Sequence, residues 1–201
     1  MKKFELTSET KINIFGKKLF RIKALISFGV VKTGETGGWV EKEENVNQSG
    51  NAWVSGDAEV FGNAEVSGNA RVSGNAWVFD NAEVSGDAEV FGNARVSGDA
   101  EVFGNARVSG DAEVFGNAEV SGNAEVSGNA DYTTIHGFGT QFRTTTFFRC
   151  KNKQVKVSCG CFYGTIPEFR EQVKNTRKGK IAEEYLMIAD LMEKHFAEEA
   201  K

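Results

Sequence analysis

The hydrophobic pattern has one dominant period. From Val54 to Val126 a valine recurs every six residues, at Val54, Val60, Val66, Val72, Val78, Val84, Val90, Val96, Val102, Val108, Val114, Val120 and Val126. An alanine follows four residues after each, from Ala58 to Ala130, with Ala52 opening the series. Between Gln48 and Asp131 the unit is Val-(Ser/Phe)-Gly-(Asn/Asp)-Ala-x. Self-similarity this strict takes precedence over local propensity. The period of six fits neither an amphipathic helix nor a simple alternating strand. Each unit instead predicts a short strand, such as Glu59-Val60-Phe61, with valine pointing opposite to its two neighbours. A Gly-Asn or Gly-Asp turn follows, since these residues tolerate the left-handed backbone region. Alanine at the corner points inward, where only a small side chain fits. Repetition of strand and turn closes into a coil, and three units per coil give a triangular prism.

The repeat resembles the left-handed parallel β-helix of hexapeptide-repeat proteins, and the handedness follows from that resemblance alone. Fourteen units would make roughly four to five coils. Val40 and Val46 are also six apart, so the coil is expected to begin near Gly38, with two extra residues before Val54 bulging at a corner. The predicted organisation is mainly β: an N-terminal β cap (1–37), the β-helix (38–131), and a C-terminal cap (132–201) of a β-hairpin followed by a helical hairpin.

Residues eighteen apart then stack in columns, which assigns three outward faces. Face one carries Phe61, Trp77, Phe79 and Phe115; large aromatics on an outer sheet mark a contact surface. The expectation is contact between copies, a trimer being one arrangement, with burial under a terminal segment of the same chain as the alternative. Face two stacks Glu65, Glu83, Glu101 and Glu119 without a counter-charge in the column. Like charges on adjacent strands repel, so this column gains from a basic partner. Face three alternates Arg71, Glu89, Arg107 and Glu125, an attraction that is weak at a surface. The corners stack Asn and Asp, as in Asn51, Asn69, Asp87, Asn105 and Asn123.

Charge sharpens the picture. The 201-residue chain has a net charge of −4, but residues 48–131 hold 14 acidic groups against three arginines, a net −11. Residues 1–47 contribute +3 and residues 132–201 contribute +4. An acidic rod does not suit direct nucleic-acid binding, which needs lysine and arginine against phosphate. It suits a basic protein surface. Met1-Lys2-Lys3 is not followed by an apolar signal core, and Ala24 to Val31 is too short to span a membrane. Three cysteines form no disulfide framework, which favours a reducing cytoplasmic setting. Cys159 and Cys161 share a strand face, and with Cys150 and His136 they offer a zinc set of unusual spacing; buried, inert thiols are the default. Gly34-x-x-Gly37-Gly38 lacks the Lys-Ser/Thr of a phosphate loop and reads as a turn. No cofactor is expected.

At the ends the period changes. Residues 11–15 and 18–22 flank Gly16-Lys17 as a hairpin, and the apolar run Leu25 to Val31 continues towards the coil. Thr144–Arg149 and Gln154–Ser158 flank a turn at Cys150–Lys153. Thr165-Ile166-Pro167-Glu168 is a capping box, predicting a helix from Ile166 to Asn175. A second helix begins near Ile181, with Tyr185, Ile188, Met192 and His195/Phe196 on one face.

Two further motifs carry a closer resemblance. Gly34-Glu35-Thr36-Gly37-Gly38-Trp39-Val40-Glu41, leading through Asn45-Val46 to Gly50-Asn51-Ala52-Trp53-Val54, resembles the lead-in segment of YdcK-like hexapeptide-repeat proteins, many carried by phages and prophages. Val157-Ser158-Cys159-Gly160-Cys161-Phe162-Tyr163-Gly164-Thr165 with Glu168-Phe169 resembles a C-terminal module on similar phage-encoded proteins. Members are often labelled acyltransferases. Hexapeptide-repeat acyltransferases use a histidine base and often a loop projecting from the coil. This chain has no histidine and no inserted loop between Ala52 and Ala130, and His136 lies just past the regular coil. The expected function is therefore a non-enzymatic binding or structural protein of phage or prophage type. Its alternatives are an acidic decoy for a host DNA-binding or defence protein, and an acyltransferase using His136 as base.

Overall fold

The structure is a computed structural model and describes residues 2–197. The rod is a parallel β-solenoid. Thirteen two-residue strands among the described residues, β4 (Trp53–Val54) to β16 (Glu125–Val126), recur every six residues after three longer strands, β1 (Phe4–Ile12), β2 (Lys18–Ala24) and β3 (Thr36–Val40). Each strand pairs in parallel with the one eighteen residues away: Glu89 stands beside Arg71 on one side and Arg107 on the other, and Val90 beside Val72 and Val108. Three units therefore make one turn, and the three faces are those the columns predict. The two extra residues before Val54 are visible in the register, for Val40 pairs with Val60 and Val46 bridges to Val66.

Burial explains the period. Every valine from Val54 to Val126 and every alanine from Ala52 to Ala124 is buried, because the strand turns valine inward and the corner admits only a methyl group. The turn fixes the glycine. Gly86 has φ of +66°, and a Cβ there would stand 2.9 Å from the Gly104 amide nitrogen of the next turn. Asp80 occupies the same slot in one unit, with φ of +60°, and its carboxylate accepts a hydrogen bond from the Gly98 amide at 3.2 Å. That charge-assisted bond offsets the backbone strain. The corner amides form ladders that run down the rod and end on carboxylates. Asn51 donates to Asn69 and Asn69 to Asp87, each at 2.9 Å. Asn75 reaches Asp111 through Asn93, and Asn63 reaches Asp99 through Asn81.

Both ends are closed. The β1–β2 hairpin continues the face-one sheet beyond β3 in antiparallel fashion. It starts earlier than the sequence suggests: the polar run Glu5–Thr10 is a strand because it lies along the outer edge, where water satisfies one side. Leu25 to Val31 does not extend the sheet but makes a tight turn, Phe28 and Val31 exchanging amide hydrogen bonds. Phe28 packs edge-on against Trp53. Gly34 is a turn residue with φ of +86°, whereas Gly37 and Gly38 lie within β3. Side chains at either would collide with Trp53 or Val54, so these two glycines serve close packing.

The C-terminal cap exceeds the expected hairpin. Four antiparallel strands, β17 (Tyr132–Phe138), β18 (Arg143–Arg149), β19 (Val155–Cys159) and β20 (Phe162–Thr165), form a meander, followed by α1 (Ile166–Thr176) and α2 (Gly179–His195). Strand β18 closes the solenoid: Phe148 and Cys150 join its core, and Thr146 accepts the Glu119 amide at 3.0 Å. Thr165 and Glu168 form the reciprocal cap of α1. Phe169, Val173, Tyr185, Ile188 and Met192 bury the helices against Phe147 and Val157.

Candidate functional site

Face two is the acidic face. Strand alternation sends the valine inward and the preceding glutamate outward, so register alone aligns Glu65 with Glu83, Glu83 with Glu101 and Glu101 with Glu119. Adjacent strands put these carboxylates roughly 4.8 Å apart at the backbone. Glu65, Glu83 and Glu101 are exposed, and none of their carboxylates has a cation or hydrogen-bond partner among the described residues. Glu119 is half-buried and accepts the Ser158 hydroxyl at 2.6 Å. Burial raises the Glu101 carboxyl above its ordinary pKa, and the charges of Glu119 and Glu83 add to the rise. The other faces are balanced. Glu59 pairs with Lys11 at 2.8 Å, Glu113 with Arg95 at 3.1 Å and Glu89 with Arg107 at 3.2 Å.

The family model described as YdcK Beta solenoid repeat matches residues 64–80, close to one turn of this coil. That turn of the rod is similar to the YdcK solenoid repeat. No curated protein matches the chain. The matched segment runs from the corner before Glu65 through Trp77 and Phe79, so the YdcK-type repeat includes residues of both the acidic and the aromatic faces.

On face one the solenoid's aromatics do not all present a free surface. Phe61 is 4% exposed, enclosed by Leu19, Trp39 and Phe79. Phe15, in the hairpin loop, lies 5.5, 5.8 and 5.6 Å from the ring centres of Phe61, Trp77 and Phe79. Phe61 and Phe79 stack at 5.1 Å with an interplanar angle of 7°. The hairpin loop thus lies over Phe61, Trp77 and Phe79, burying the first and leaving the other two partly exposed. Phe115 stands apart, 57% exposed, with an edge contact to the Tyr132 ring.

The remaining candidates are scattered. His136 is exposed on β17, its Nδ1 within 3.3 Å of the Thr144 hydroxyl. His195 is exposed in the last turn of α2, while Phe196 takes the buried place beside it; the face assigned to both belongs to Phe196 alone. Cys150 begins the β18–β19 turn at the solenoid end, and burial raises its thiol pKa. Cys159 lies at the other end of β19, and Cys161 is exposed in the next turn. The antiparallel hairpin thus separates Cys150 from the other two by the length of a strand. Among the described residues no three His, Cys, Asp or Glu side chains are grouped as a metal site requires. Among them, too, no helix is long and apolar enough to cross a membrane.

Phe15, Lys3, Arg143 and Arg177 carry structural or chemical weight that the sequence pattern does not signal. Each lies outside the repeat, where no period marks a residue as inward or outward.

Proposed function

We propose that this chain is a non-enzymatic binding protein whose solenoid presents face two to a basic protein surface. The observation that supports this is the contrast between faces. Glu59, Glu89 and Glu113 each have a cation, whereas Glu65, Glu83 and Glu101 stand in register without one among the described residues. Asp80, Asp87 and Asp99 flank the column at the adjoining corners and extend the negative strip. A cationic partner relieves the mutual repulsion, and the partner gains a rigid row of acceptors. The rest of the proposal is a phage or prophage setting, action in the bacterial cytoplasm on a host protein, and assembly of copies through exposed Phe115.

The decoy reading is narrower. The glutamate column offers about one charge per 4.8 Å, against roughly one per 1.7 Å for duplex DNA. Its line charge is about a third of the duplex value, so a general basic-surface contact fits the face better than imitation of DNA. An acyltransferase with His136 as base would need an acceptor and acyl donor near that exposed ring, and acetyl-CoA turnover with an acceptor panel addresses it directly.

The test uses Glu83→Gln with Glu101→Gln, which removes the central charges and keeps shape. A labelled decalysine peptide, and proteins captured from bacterial lysate, are titrated against both forms at low and high salt. Weaker binding by the variant, with a shallower salt dependence, supports the docking face. Equal binding at both salt concentrations refutes it. The linkage sign gives an internal check. A raised folded pKa at Glu101 means the folded state holds its proton more tightly, so the wild type loses stability as pH rises through the carboxylate range. The variant should be the more stable protein near neutral pH and lose that advantage in acid.

A further inference from the structure

The C-terminal cap contains a cleft whose chemistry is opposite to that of the rod. A cavity of about 390 Å³ opens between the β19–β20 turn and α1, and a second of about 490 Å³ adjoins it. Arg143, Cys159, Arg177 and Tyr185 line both. No carboxylate lines either cavity among the described residues, in a chain with 28 acidic groups.

The two arginines are unusual in this molecule. Arg21, Arg95, Arg107, Arg149 and Arg170 each have a carboxylate within salt-bridge reach. Among the described residues Arg143 has no such partner, and Arg177 reaches only the Thr176 carbonyl, at 3.4 Å. They come from different elements, Arg143 from the start of β18 and Arg177 from the residue closing α1. Space is kept for the first of them: a side chain at Gly160 would collide with the Arg143 guanidinium. The Tyr185 phenol reports their convergence. Burial raises its pKa and Cys159 adds to that, while the charges of Arg177 and Arg143 oppose it. The phenol itself is anchored, donating to the Phe138 carbonyl at 3.2 Å. The wall of the first cavity, the smaller of the two, is aromatic, with Phe162 against Phe169 at 5.4 Å and Phe169 against Tyr185 at 5.8 Å.

We propose that this cleft binds a small organic oxyanion, its phosphate or carboxylate group held between Arg143 and Arg177 and its flat apolar body against Phe162 and Phe169. Guanidinium groups match both oxyanions through paired N–H donors. An aromatic wall beside a charged mouth is the ordinary composition of a small-molecule site. The Gln172 side chain at the rim supplies a further donor.

The test is titration calorimetry on the full chain with phenyl phosphate, benzoate, inorganic phosphate and neutral benzamide. Saturable binding of phenyl phosphate or benzoate is expected, the better of the two naming the oxyanion, with inorganic phosphate weaker and benzamide silent. Arg143→Gln and Arg177→Gln should each weaken binding at least about tenfold, as loss of a charge-assisted hydrogen bond does. Both side chains are exposed, so the variants should keep the wild-type melting temperature. Arg71→Gln is the control, since Arg71 also lacks a salt-bridged carboxylate among the described residues but sits on face three of the rod; it should bind as wild type. In a Cys161→Ser background, the bound probe should slow alkylation of Cys159. The proposal is overturned if neither aromatic anion saturates, if the cleft variants bind as wild type, or if Arg71→Gln weakens binding as much as they do.

Discussion

Lys3 is buried at the N-terminal end of the solenoid, 2% exposed, with no carboxylate paired to it among the described residues. Its Nζ donates to the carbonyls of Asn47 at 2.6 Å and Ala52 at 2.9 Å, and stands 4.9 Å from the centre of the Phe28 ring. The need for such a group follows from the ladder. Amides of one turn donate to carbonyls of the next, as Trp53 does to Ala70, so carbonyls of the first turn lack a turn above them. Burial lowers the Lys3 pKa from 10.5 to about 8. That gap is worth about 3 kcal/mol, at roughly 1.4 kcal/mol per pH unit. The unfolded chain binds the proton more tightly, so the penalty is complete below the folded pKa and fades as pH rises towards the unfolded one. Between about pH 7 and about pH 9.5 the wild type should gain roughly 2 kcal/mol from this group. Lys3→Met carries no charge but strands two carbonyls, each costing about 1–3 kcal/mol. Near neutral pH the two proteins should therefore be close in stability, and in alkali the wild type should lead by about 2 kcal/mol. Urea unfolding followed by fluorescence reads the right end of the molecule, since Trp53 packs against Phe4 at 6.3 Å. Tyrosines and other lysines titrate in both proteins and cancel in the difference. A difference that stays flat across this pH range would show that Lys3 is not carrying a desolvated charge.

Two substitutions probe the rod itself. Val90→Asp places an unpaired carboxylate in the middle of the stack, at a cost of several kcal/mol, and should abolish cooperative unfolding or solubility; a well-behaved variant with an unchanged melting temperature would contradict the inward assignment. Phe15→Ser uncovers Phe61, Trp77 and Phe79 and should cost about 1–2 kcal/mol, the value of a half-buried ring with aromatic contacts. It should also shift Trp77 emission to the red, and unchanged stability and emission would mean that the hairpin loop does not rest on the stack in solution.

The rod was legible because its determinants are local and repeated. Val90 is inward for the same reason as Val72 and Val108, and one correct assignment fixes all thirteen. The columns follow from the count of three units per turn, so the juxtaposition of Glu83 and Glu101 needed no structure. The capping box at Thr165 is similarly local, two side chains three residues apart. What escaped the sequence is long-range. Phe15 reaches residues more than forty positions away, and nothing in Asn13–Lys17 encodes that the loop folds over face one rather than into solvent. Lys3 looks like an ordinary surface lysine until the first turn's carbonyls are counted. Arg143 and Arg177 are joined only by the packing of α1 against the meander. The strand Glu5–Thr10 was hidden because an edge strand carries no inward pattern on its outer side.

The distinction between what the coil requires and what it leaves free bears on function. Valine, alanine, glycine and the corner Asn or Asp are each fixed by a contact: core, corner, backbone turn and ladder. Away from the two caps, which bury Trp53 and Glu59 and contact Glu119, the residue before each valine meets no such demand, since it points to solvent and only its lateral neighbours sense it. Physics then favours opposite charges on adjacent turns, and faces one and three follow it, with Arg95 beside Glu113 and Arg107 beside Glu89. Face two does the reverse at every one of its paired positions from Glu65 to Glu119. The repulsion is modest at an exposed surface and screened by salt, so the fold tolerates it. It is nonetheless a cost the repeat could reduce with one or two arginines, as the other two faces do. A face that keeps a removable repulsion along its whole length is where a cationic partner has the most to contribute, and this supports the proposal of face two, rather than the hairpin-covered aromatic stack, as the docking surface.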